Sequence, residues 1–200
     1  MHNEIKDINF GKAAHRYDDS WGMILRRFYN LLLEQVSLTQ DMTILDIGCG
    51  TGTMLRKMAD SCPINGYGID IQENMINEAK RKCPEMLFHV SRCEETPFED
   101  DTFDAIITCL AYHHFSDREG FAKESARILK PGGVLYIADP RFPIIIRKPM
   151  NAVFSHLRIA GAFYTASEIF ENLAVFGFVP DGYVLKGFAQ VVKLKLAKMI

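Results

Sequence analysis

The part of the sequence that points most directly to chemistry is a glycine-rich stretch at residues 44–52. It reads ILDIGCGTG, so a short apolar run containing Asp46 is followed by glycines at positions 48, 50 and 52. Glycine permits left-handed backbone and lets a ligand approach the main chain closely. Main-chain amides that lead into a helix favour an anionic group. The stretch therefore predicts a site for a pyrophosphate or for the carboxylate of an amino-acid-like cofactor.

The spacing of these glycines and a second acid narrow the choice of cofactor. Dinucleotide-binding proteins carry GxGxxG, whereas this loop is GxGxG and Thr53 stands where the fingerprint needs its third glycine. Asp70 closes the next predicted strand, where a carboxylate can accept hydrogen bonds from both hydroxyls of a ribose. NAD and S-adenosylmethionine share a ribose, so the loop separates them and Asp70 does not. A tight turn without a ligand is the other interpretation of the three glycines.

The elements that must position this loop alternate between strands and helices. Apolar periodicity predicts strands at 43–47, 66–70, 86–90, 103–109 and 134–138, and helices at 20–36, 53–60, 74–82 and 117–129. A further helix begins at Thr165 or Ser167 and runs to Phe176, and two strand-like pieces follow at 182–186 and 190–196. This pattern predicts an α/β fold, a doubly wound and mostly parallel sheet with a C-terminal antiparallel hairpin. Ligands of such sheets bind at the carboxyl ends of the strands, where the glycine loop lies.

Length and composition indicate one ordinary globular domain. The 200 residues are 48% hydrophobic and 24% charged, and the formal net charge is -2. Such a charge provides no overall field for attracting nucleic acid. We expect a single domain over residues 1–200, with residues 1–40 as an N-terminal helical arm and residues 141–164 as a candidate lid.

Cysteine usage and the apolar runs bear on compartment and metals. The five cysteines stand at positions 49, 62, 83, 93 and 109 without a CxxC pair, which predicts neither a disulfide framework nor a metal site. No apolar run reaches the roughly 18 residues of a membrane span. The opening residues MHNEIKDINF lack the apolar segment of a signal peptide. The expected compartment is a reducing cytoplasm.

Four further stretches carry a family resemblance. They are HRYDD at 15–19, SRCEETPFEDDTFDAII at 91–107, CLAYHHF at 109–115 and RILKPGGVLYIADP at 127–140. Together with the glycine loop, and in this order, they resemble the class I S-adenosylmethionine-dependent methyltransferases. Within that class they resemble the small-molecule branch typified by ubiquinone and menaquinone biosynthesis. The marks span about two-thirds of the chain and are more specific for the cofactor than for the acceptor.

The resemblance implies a set of cofactor-binding residues. The glycine loop would face the methionyl part with Asp46 receiving its ammonium, and Asp70 would bind the ribose. One position departs from the pattern, because Arg92 stands where an acid often accepts from the adenine amino group, so either Glu94 substitutes or the adenine edge stays wet. The implied set is Tyr17, Asp46, Gly48, Cys49, Gly50, Thr51, Gly52, Asp70, Ile71, Arg92, Cys93, Glu94, Cys109 and Leu110.

The turn after the fourth predicted strand supplies the candidate catalytic residues, which are Tyr112, His113 and His114. Methyl transfer needs a base only when the acceptor carries a proton that must leave. Histidine, with an unperturbed pKa of about 6.5, suits that role. The alternative is that one histidine packs and the other binds backbone. Two adjacent histidines without a third ligand at metal spacing do not indicate a metal.

The acceptor is expected to be a small molecule, since the length leaves no room for a separate substrate domain. Residues 141–164 are apolar and aromatic with four cations, which is typical of a lid over an apolar acceptor that bears an acidic group. A helix packed on the sheet, or a dimer contact, explains the same segment, so a monomer and a homodimer both remain open. Two other functions also remain open, a nicotinamide-dependent oxidoreductase and a catalytically silent adenosylmethionine-binding module. No nucleic-acid partner is expected.

Overall fold

A computed structural model of the chain describes residues 14–156 and 161–197. Seven strands are present in this part of the chain: β1 (Met42–Ile47), β2 (Ile64–Asp70), β3 (Leu87–Val90), β4 (Phe103–Cys109), β5 (Leu129–Pro140), β6 (Phe178–Lys186) and β7 (Ala189–Leu196). The helices are α1 (Ala14–Leu33), α2 (Thr53–Ser61), α3 (Glu73–Lys82), α4 (Arg118–Ile128), α5 (Ile144–His156) and α6 (Ala166–Ala174). A single 3-10 turn spans Tyr112–His114. None of the helices described is both long and apolar enough to cross a bilayer.

The seven strands form one mixed sheet. Their order is β3-β2-β1-β4-β5-β7-β6. The first five strands pair in parallel, and β7 pairs antiparallel with both β5 and β6. The predicted α/β fold with a C-terminal antiparallel hairpin is thereby confirmed. Strand order reverses between β1 and β4, and ligands bind at such a switch point, outside the carboxyl ends of the strands.

Helices cover both faces of this sheet. On one face Ile44 of β1 packs with Phe28 of α1 and Leu55 of α2 in a buried apolar cluster. On the other face Leu45 of β1 packs with Phe121 of α4 in a second cluster. Successive side chains of a strand point to opposite faces, so neighbouring residues of β1 contribute to different clusters. The doubly covered sheet holds the strand ends in fixed positions.

Strands β5 and β6 begin well before their predicted starts. Strand β5 starts at Leu129, not at 134, because the four residues 130–133 form an irregularity opposite the single residue Asp104 of β4. Lys130 stabilises this irregularity with an ion pair to Asp104 at 2.7 Å. Strand β6 starts at Phe178, not at 182, and contains a register shift between Pro180 and Gly182. Glycine and proline in a sequence predict the end of a strand, whereas this sheet accommodates them as bulges.

Helix α1 differs from its predicted bounds, since it begins at Ala14, earlier than the predicted start at 20, and ends at Leu33. The candidate lid segment contains helix α5, and a helix is one of the forms considered for it. Residues 1–13 of the expected N-terminal arm and residues 157–160 of the candidate lid lie outside the described residues.

Candidate functional site

The glycine loop lies at the carboxyl end of β1 and leads into α2. Gly48, Gly50 and Gly52 have φ angles of 76°, 52° and 76°, all in the left-handed region that favours glycine. Gly52 is the N-cap of α2. The amides of Gly48 and Cys49 donate to the carbonyl of Ile69 at 2.8 and 2.9 Å, so the loop is tied to β2.

The three glycines have different surroundings. A Cβ at Gly48 would lie 2.5 Å from the Cβ of Ala111, and one at Gly52 would lie 3.1 Å from the ring of Phe88. These two glycines are required for packing. No described atom lies within 4 Å of a Cβ built on Gly50, so this position borders open space. Gly50 is therefore the glycine beside which a ligand can sit.

Asp70 fastens the end of β2 to this loop. Its Oδ2 accepts from the amide of Gly50 at 3.0 Å, and its Oδ1 accepts from the amide of Gln72 at 2.9 Å. Burial raises the pKa of Asp70, and the backbone hydrogen bonds partly offset that effect. The carboxylate is thus positioned at the strand end where a ribose-binding acid is expected.

Asp46 is a buried carboxyl group beneath the same loop. It is 2% exposed, and its Oδ1 has no hydrogen-bond partner among the described residues. Burial first and the charge of Asp70 second raise the pKa of Asp46 to about 8. An unpartnered carboxyl of this kind is costly unless a cationic or hydrogen-bond-donating ligand satisfies it. It fits the ammonium of an adenosylmethionine-type cofactor.

The residues implied for the adenine end combine an exposed apolar side chain with a polar cluster. Ile71 is 47% exposed directly after β2 and offers a surface for an aromatic ring. The guanidinium of Arg92 donates from Nε to Glu94. The thiol of Cys93 also donates to Glu94, at 3.3 Å. Both oxygens of Glu94 therefore already accept hydrogen bonds. Its partner Arg92 occupies the position at which an acid often accepts from the adenine amino group.

The other implied cofactor residues surround the loop and the end of β4. Cys49 and Thr51 are buried in the loop, and the Thr51 hydroxyl contacts that of Thr53 at 3.1 Å. Burial raises the pKa of the Cys109 thiol far above its usual range, with the charges of Asp46 and Asp139 adding to the effect. Leu110 adopts a left-handed φ of 58°, and its amide donates to the carbonyl of Ala138 at 2.8 Å. Tyr17 lies on α1, and its side chain is outside the described part of the structure.

Tyr112 lies in the hydrophobic core. It is 0% exposed and packs edge-on against Phe115, Phe121 and Tyr164. Burial raises the pKa of its phenol to about 12. A side chain without exposed atoms contacts no substrate in this conformation, so we assign Tyr112 to packing and not to proton transfer.

His113 forms a buried pair with Asp139, at the end of β5. The Nδ1 of His113 lies 2.7 Å from the Oδ1 of Asp139, which is 1% exposed. Burial raises the pKa of Asp139, and the imidazole and the Arg118 guanidinium act in the opposite direction. The imidazole stacks on Phe163 at 5.0 Å between centroids, and the His114 ring lies 3.9 Å away. A carboxylate that accepts from Nδ1 fixes the ring and leaves Nε2 able to take a proton.

Asp139 is not among the site residues predicted from the sequence. It is the last residue but one of the quoted stretch RILKPGGVLYIADP, and β5 neighbours β4 in the sheet. An acid at the carboxyl end of a strand beside the histidine turn was a usable signal. The structure thus brings the glycine loop, Asp46 and Asp70 together at β1 and β2, with the His113–Asp139 pair across the switch point at β4 and β5.

Comparison with known proteins finds methyltransferases. A family model described as a methyltransferase domain matches residues 45–137. The demethylmenaquinone methyltransferase of Chlorobaculum parvum is 31% identical over 144 residues, which cover 70% of this chain and 60% of that protein. The ubiquinone/menaquinone biosynthesis C-methyltransferase UbiE of Geotalea daltonii is 27% identical over 191 residues, covering 88% of this chain and 78% of that protein.

A solved structure shares the fold over nearly the whole chain. It comes from the complex of the Trm112 methyltransferase activator of Haloferax volcanii with a methyltransferase, and it matches with a TM-score of 0.83 and 20% identity. The alignment covers 98% of this chain and 100% of that one. The chain therefore has the fold of the class I S-adenosylmethionine-dependent methyltransferases, and its sequence is similar to methyltransferases of quinone biosynthesis.

Proposed function

We propose that this chain transfers a methyl group from S-adenosylmethionine to a small apolar acceptor of the quinol type. The observation that carries the proposal is Asp46, a buried carboxyl with an unpartnered oxygen beneath a glycine loop. NAD has no ammonium group for such a carboxyl, whereas adenosylmethionine carries one on its methionyl part. The acceptor class is inferred from the relatives. The chain spans about 60% of the length of the Chlorobaculum protein.

The cofactor assignments follow from these surroundings. Asp46 holds the ammonium, and Asp70 accepts from the ribose hydroxyls at the end of β2. Ile71 packs on the adenine, and the amide of Cys93 donates to an adenine nitrogen. The open space beside Gly50 admits the methionyl part. Tyr17, Arg92, Glu94, Cys109 and Leu110 complete the proposed surroundings.

The bound cofactor supplies an electrophilic methyl group, and the chain has to align the acceptor and exclude water. Alignment of this kind can account for up to about 7–11 kcal/mol of a barrier. His113 accepts at Nε2 the proton that the acceptor releases when it is methylated, while Asp139 accepts from Nδ1 and stabilises the imidazolium. His114, whose ring lies 3.9 Å from that of His113, borders the same turn. The described residues of the candidate lid, 141–156 and 161–164, cover the acceptor, which the stacking of Phe163 on His113 supports.

The nicotinamide alternative is less well supported by the fold. Dinucleotide-binding sheets of the Rossmann type have the order 3-2-1-4-5-6. Here β7 lies antiparallel between β5 and β6. Together with the GxGxG spacing, this order favours adenosylmethionine over NAD.

We expect the chain to act on its own or as a homodimer, without nucleic acid. A reducing compartment such as the cytoplasm is supported by its five free cysteines. A structural disulfide would be the common finding in an oxidising compartment.

Ligand binding and turnover test the proposal in sequence. S-adenosylhomocysteine should raise the melting temperature, whereas NAD should not. At a hundredfold excess over Kd the expected gain in the free energy of unfolding is about 2.7 kcal/mol. The reverse ranking would exclude the methyltransferase function. If S-adenosylhomocysteine binds but no quinol, catechol or related hydroxylated ring is methylated, the chain is an adenosylmethionine-binding module. The catalytic part of the proposal is then wrong.

A further inference from the structure

Helix α5 is attached to the body of the protein through polar groups. Arg147 is 6% exposed and binds both carboxylate oxygens of Glu168 at 2.6 and 2.9 Å. The same guanidinium donates to the carbonyl of Phe163 at 3.1 Å. One turn later Asn151 donates to that carbonyl at 3.0 Å and accepts from the amide of Phe163 at 3.1 Å. The inward side of α5 is therefore held by hydrogen bonds to Phe163 and Glu168.

The outward side of the same helix is apolar. Ile145 is 79% exposed and Val153 is 52% exposed, and Pro149 and Ala152 are exposed between them. Positions 145, 149 and 153 are spaced by four residues and so lie on one stripe of a helix. Position 147, whose side chain makes the hydrogen bonds to Glu168 and Phe163, lies about half a turn away from that stripe. A surface helix usually turns its apolar stripe to the core, so the polarity of α5 is reversed.

The charge of the surrounding segment is distinctive. Residues 140–167 contain Arg141, Arg147, Lys148 and Arg158 and no acidic residue, although the whole chain has a net charge of -2. Glu168 neutralises Arg147, and Lys148 lies exposed on the flank of the stripe. An exposed apolar stripe with a cation on its flank, in a segment that contains no acidic residue, is the pattern of a helix that lies in the interface of an anionic bilayer.

We propose that α5 docks this protein on the surface of a bilayer that carries anionic lipid, with Ile145, Pro149 and Val153 inserted among the acyl chains. A second copy of the chain is a weaker candidate for covering the stripe, because a symmetric contact would bring the positively charged segment 140–167 of one copy against that of the other. The proposal goes beyond methyl transfer and stands independently of the acceptor. If the acceptor is an apolar quinol, the same docking brings Phe163 and the stacked His113 close to the phase in which that acceptor dissolves.

Co-sedimentation of the whole protein with vesicles tests this docking. Binding to vesicles of phosphatidylcholine and phosphatidylglycerol in equal parts should exceed binding to phosphatidylcholine alone, and it should weaken as salt screens the headgroups. Ile145→Glu and Val153→Glu should each lower the binding by about tenfold or more, since a charge replaces an inserted aliphatic side chain. Val175→Glu is the matched control, because Val175 is 80% exposed beyond the end of α6, and this variant should bind as the wild type does.

Two further measurements separate the possible outcomes. Circular dichroism and the affinity for S-adenosylhomocysteine should be the same in all variants, which excludes misfolding. Wild-type protein that binds neither vesicle, or an Ile145→Glu variant that binds like the control, would overturn the docking. So would a wild-type dimer in solution that Ile145→Glu converts to a monomer, since the stripe would then lie between two copies. Loss of S-adenosylhomocysteine binding in every form, the wild type included, would instead count against the proposed function and leave the docking result standing.

Discussion

The Nδ1 atom of His113 lies 2.7 Å from the Oδ1 atom of Asp139 and joins the turn after β4 to the end of β5. Both side chains are buried, His113 in the turn that follows β4 and Asp139 near the end of the neighbouring strand β5. The pair therefore holds one imidazole in a single orientation at the edge where the acceptor is expected. The ring of the neighbouring His114 lies 3.9 Å from that of His113, which is the histidine that contacts the Asp139 carboxylate.

Replacement of His113 tests whether this imidazole takes a proton. His113→Ala should lower kcat by about 10²–10⁴-fold while the affinity for the cofactor changes little. Asp139→Asn should lower kcat less, because the imidazole is still present but is no longer held by a carboxylate. Steady-state kinetics and calorimetry measure the two quantities. His89→Ala, at an exposed position of β3, is the control and should retain full activity. A rise in KM alone for His113→Ala would mean that the ring only shapes the pocket.

Asp46 should make the ligand-free protein less stable as the pH rises. Its pKa is raised from 3.8 to about 8, so the native state binds more protons than the unfolded state between these values. The free energy of unfolding should therefore fall as the pH rises from about 4 to about 8 and level off above that range. Asp46→Asn should remove this contribution and stabilise the ligand-free protein at pH 7 by roughly 2–4 kcal/mol. Urea unfolding at several pH values gives the difference, and equal pH profiles for both proteins would show that Asp46 does not titrate in this range.

Cofactor binding should release a proton from the same carboxyl. An ammonium beside Asp46 favours its charged form and lowers its pKa from the ligand-free value of about 8. Calorimetry with S-adenosylhomocysteine at neutral pH, in buffers of different ionisation enthalpy, counts the protons released. Wild-type protein should release a fraction of a proton, and Asp46→Asn should bind more weakly and release none. An identical proton count in both would place the ammonium elsewhere.

The surroundings of Gly50 and Gly52 predict opposite phenotypes for the same substitution. Both residues have positive φ, so alanine at either position costs about 1–2 kcal/mol of backbone strain. Gly52→Ala should destabilise the fold further, because its Cβ would press on Phe88 and Ala79 at 3.1 and 3.2 Å. Gly50→Ala should instead fill ligand space and lower the affinity for S-adenosylhomocysteine by at least about tenfold. Urea unfolding and calorimetry distinguish the two, and normal binding by Gly50→Ala would mean that the ligand does not pass beside this loop.

Asp70→Ala should weaken cofactor binding by roughly 2–4 kcal/mol, because charge-assisted hydrogen bonds to the ribose are lost. It should also leave the amides of Gly50 and Gln72 without their present acceptor, so the loop loses one of its ties to β2. Calorimetry measures the affinity. Asp60→Ala, which removes an exposed partner of Arg56, is the control and should bind normally. Unchanged affinity in Asp70→Ala would mean that Asp70 ends β2 without binding the ribose.

Much of the site's framework follows from local sequence signals. The apolar runs and the glycine loop predict where β1 and β2 end, and parallel strands place those ends at one edge. Family resemblance adds the expected cofactor class. The mostly parallel sheet and the C-terminal hairpin follow from the same alternation of elements, because crossover connections allow few arrangements, whereas the place of β7 between β5 and β6 does not follow from it.

The remaining features depend on contacts between distant residues. Tyr112 and His113 are adjacent in a motif, yet one packs against Phe121 in the core and the other meets Asp139, 26 positions away. Periodicity does not indicate which neighbour of a turn points inward. The extra length of β5 arises because four residues bulge against one residue of β4, a pairing that no local pattern specifies. The polarity of α5 is likewise visible only once Glu168 is seen to hold Arg147.

The place of β7 in the sheet has a consequence for synthesis of the chain. Strand β7 follows β6 in sequence but lies between β5 and β6, so β6 has no strand to pair with before residues 189–196 are made. Until then the edge of β5, with Leu135 and Ile137, remains open on the nascent chain, and such an edge is a template for pairing with other chains. This sheet cannot be completed strand by strand as the ribosome delivers it. A chain that stalls after β6 therefore presents an unpaired hydrophobic edge, which stays open to other chains until the strand that closes the gap is made.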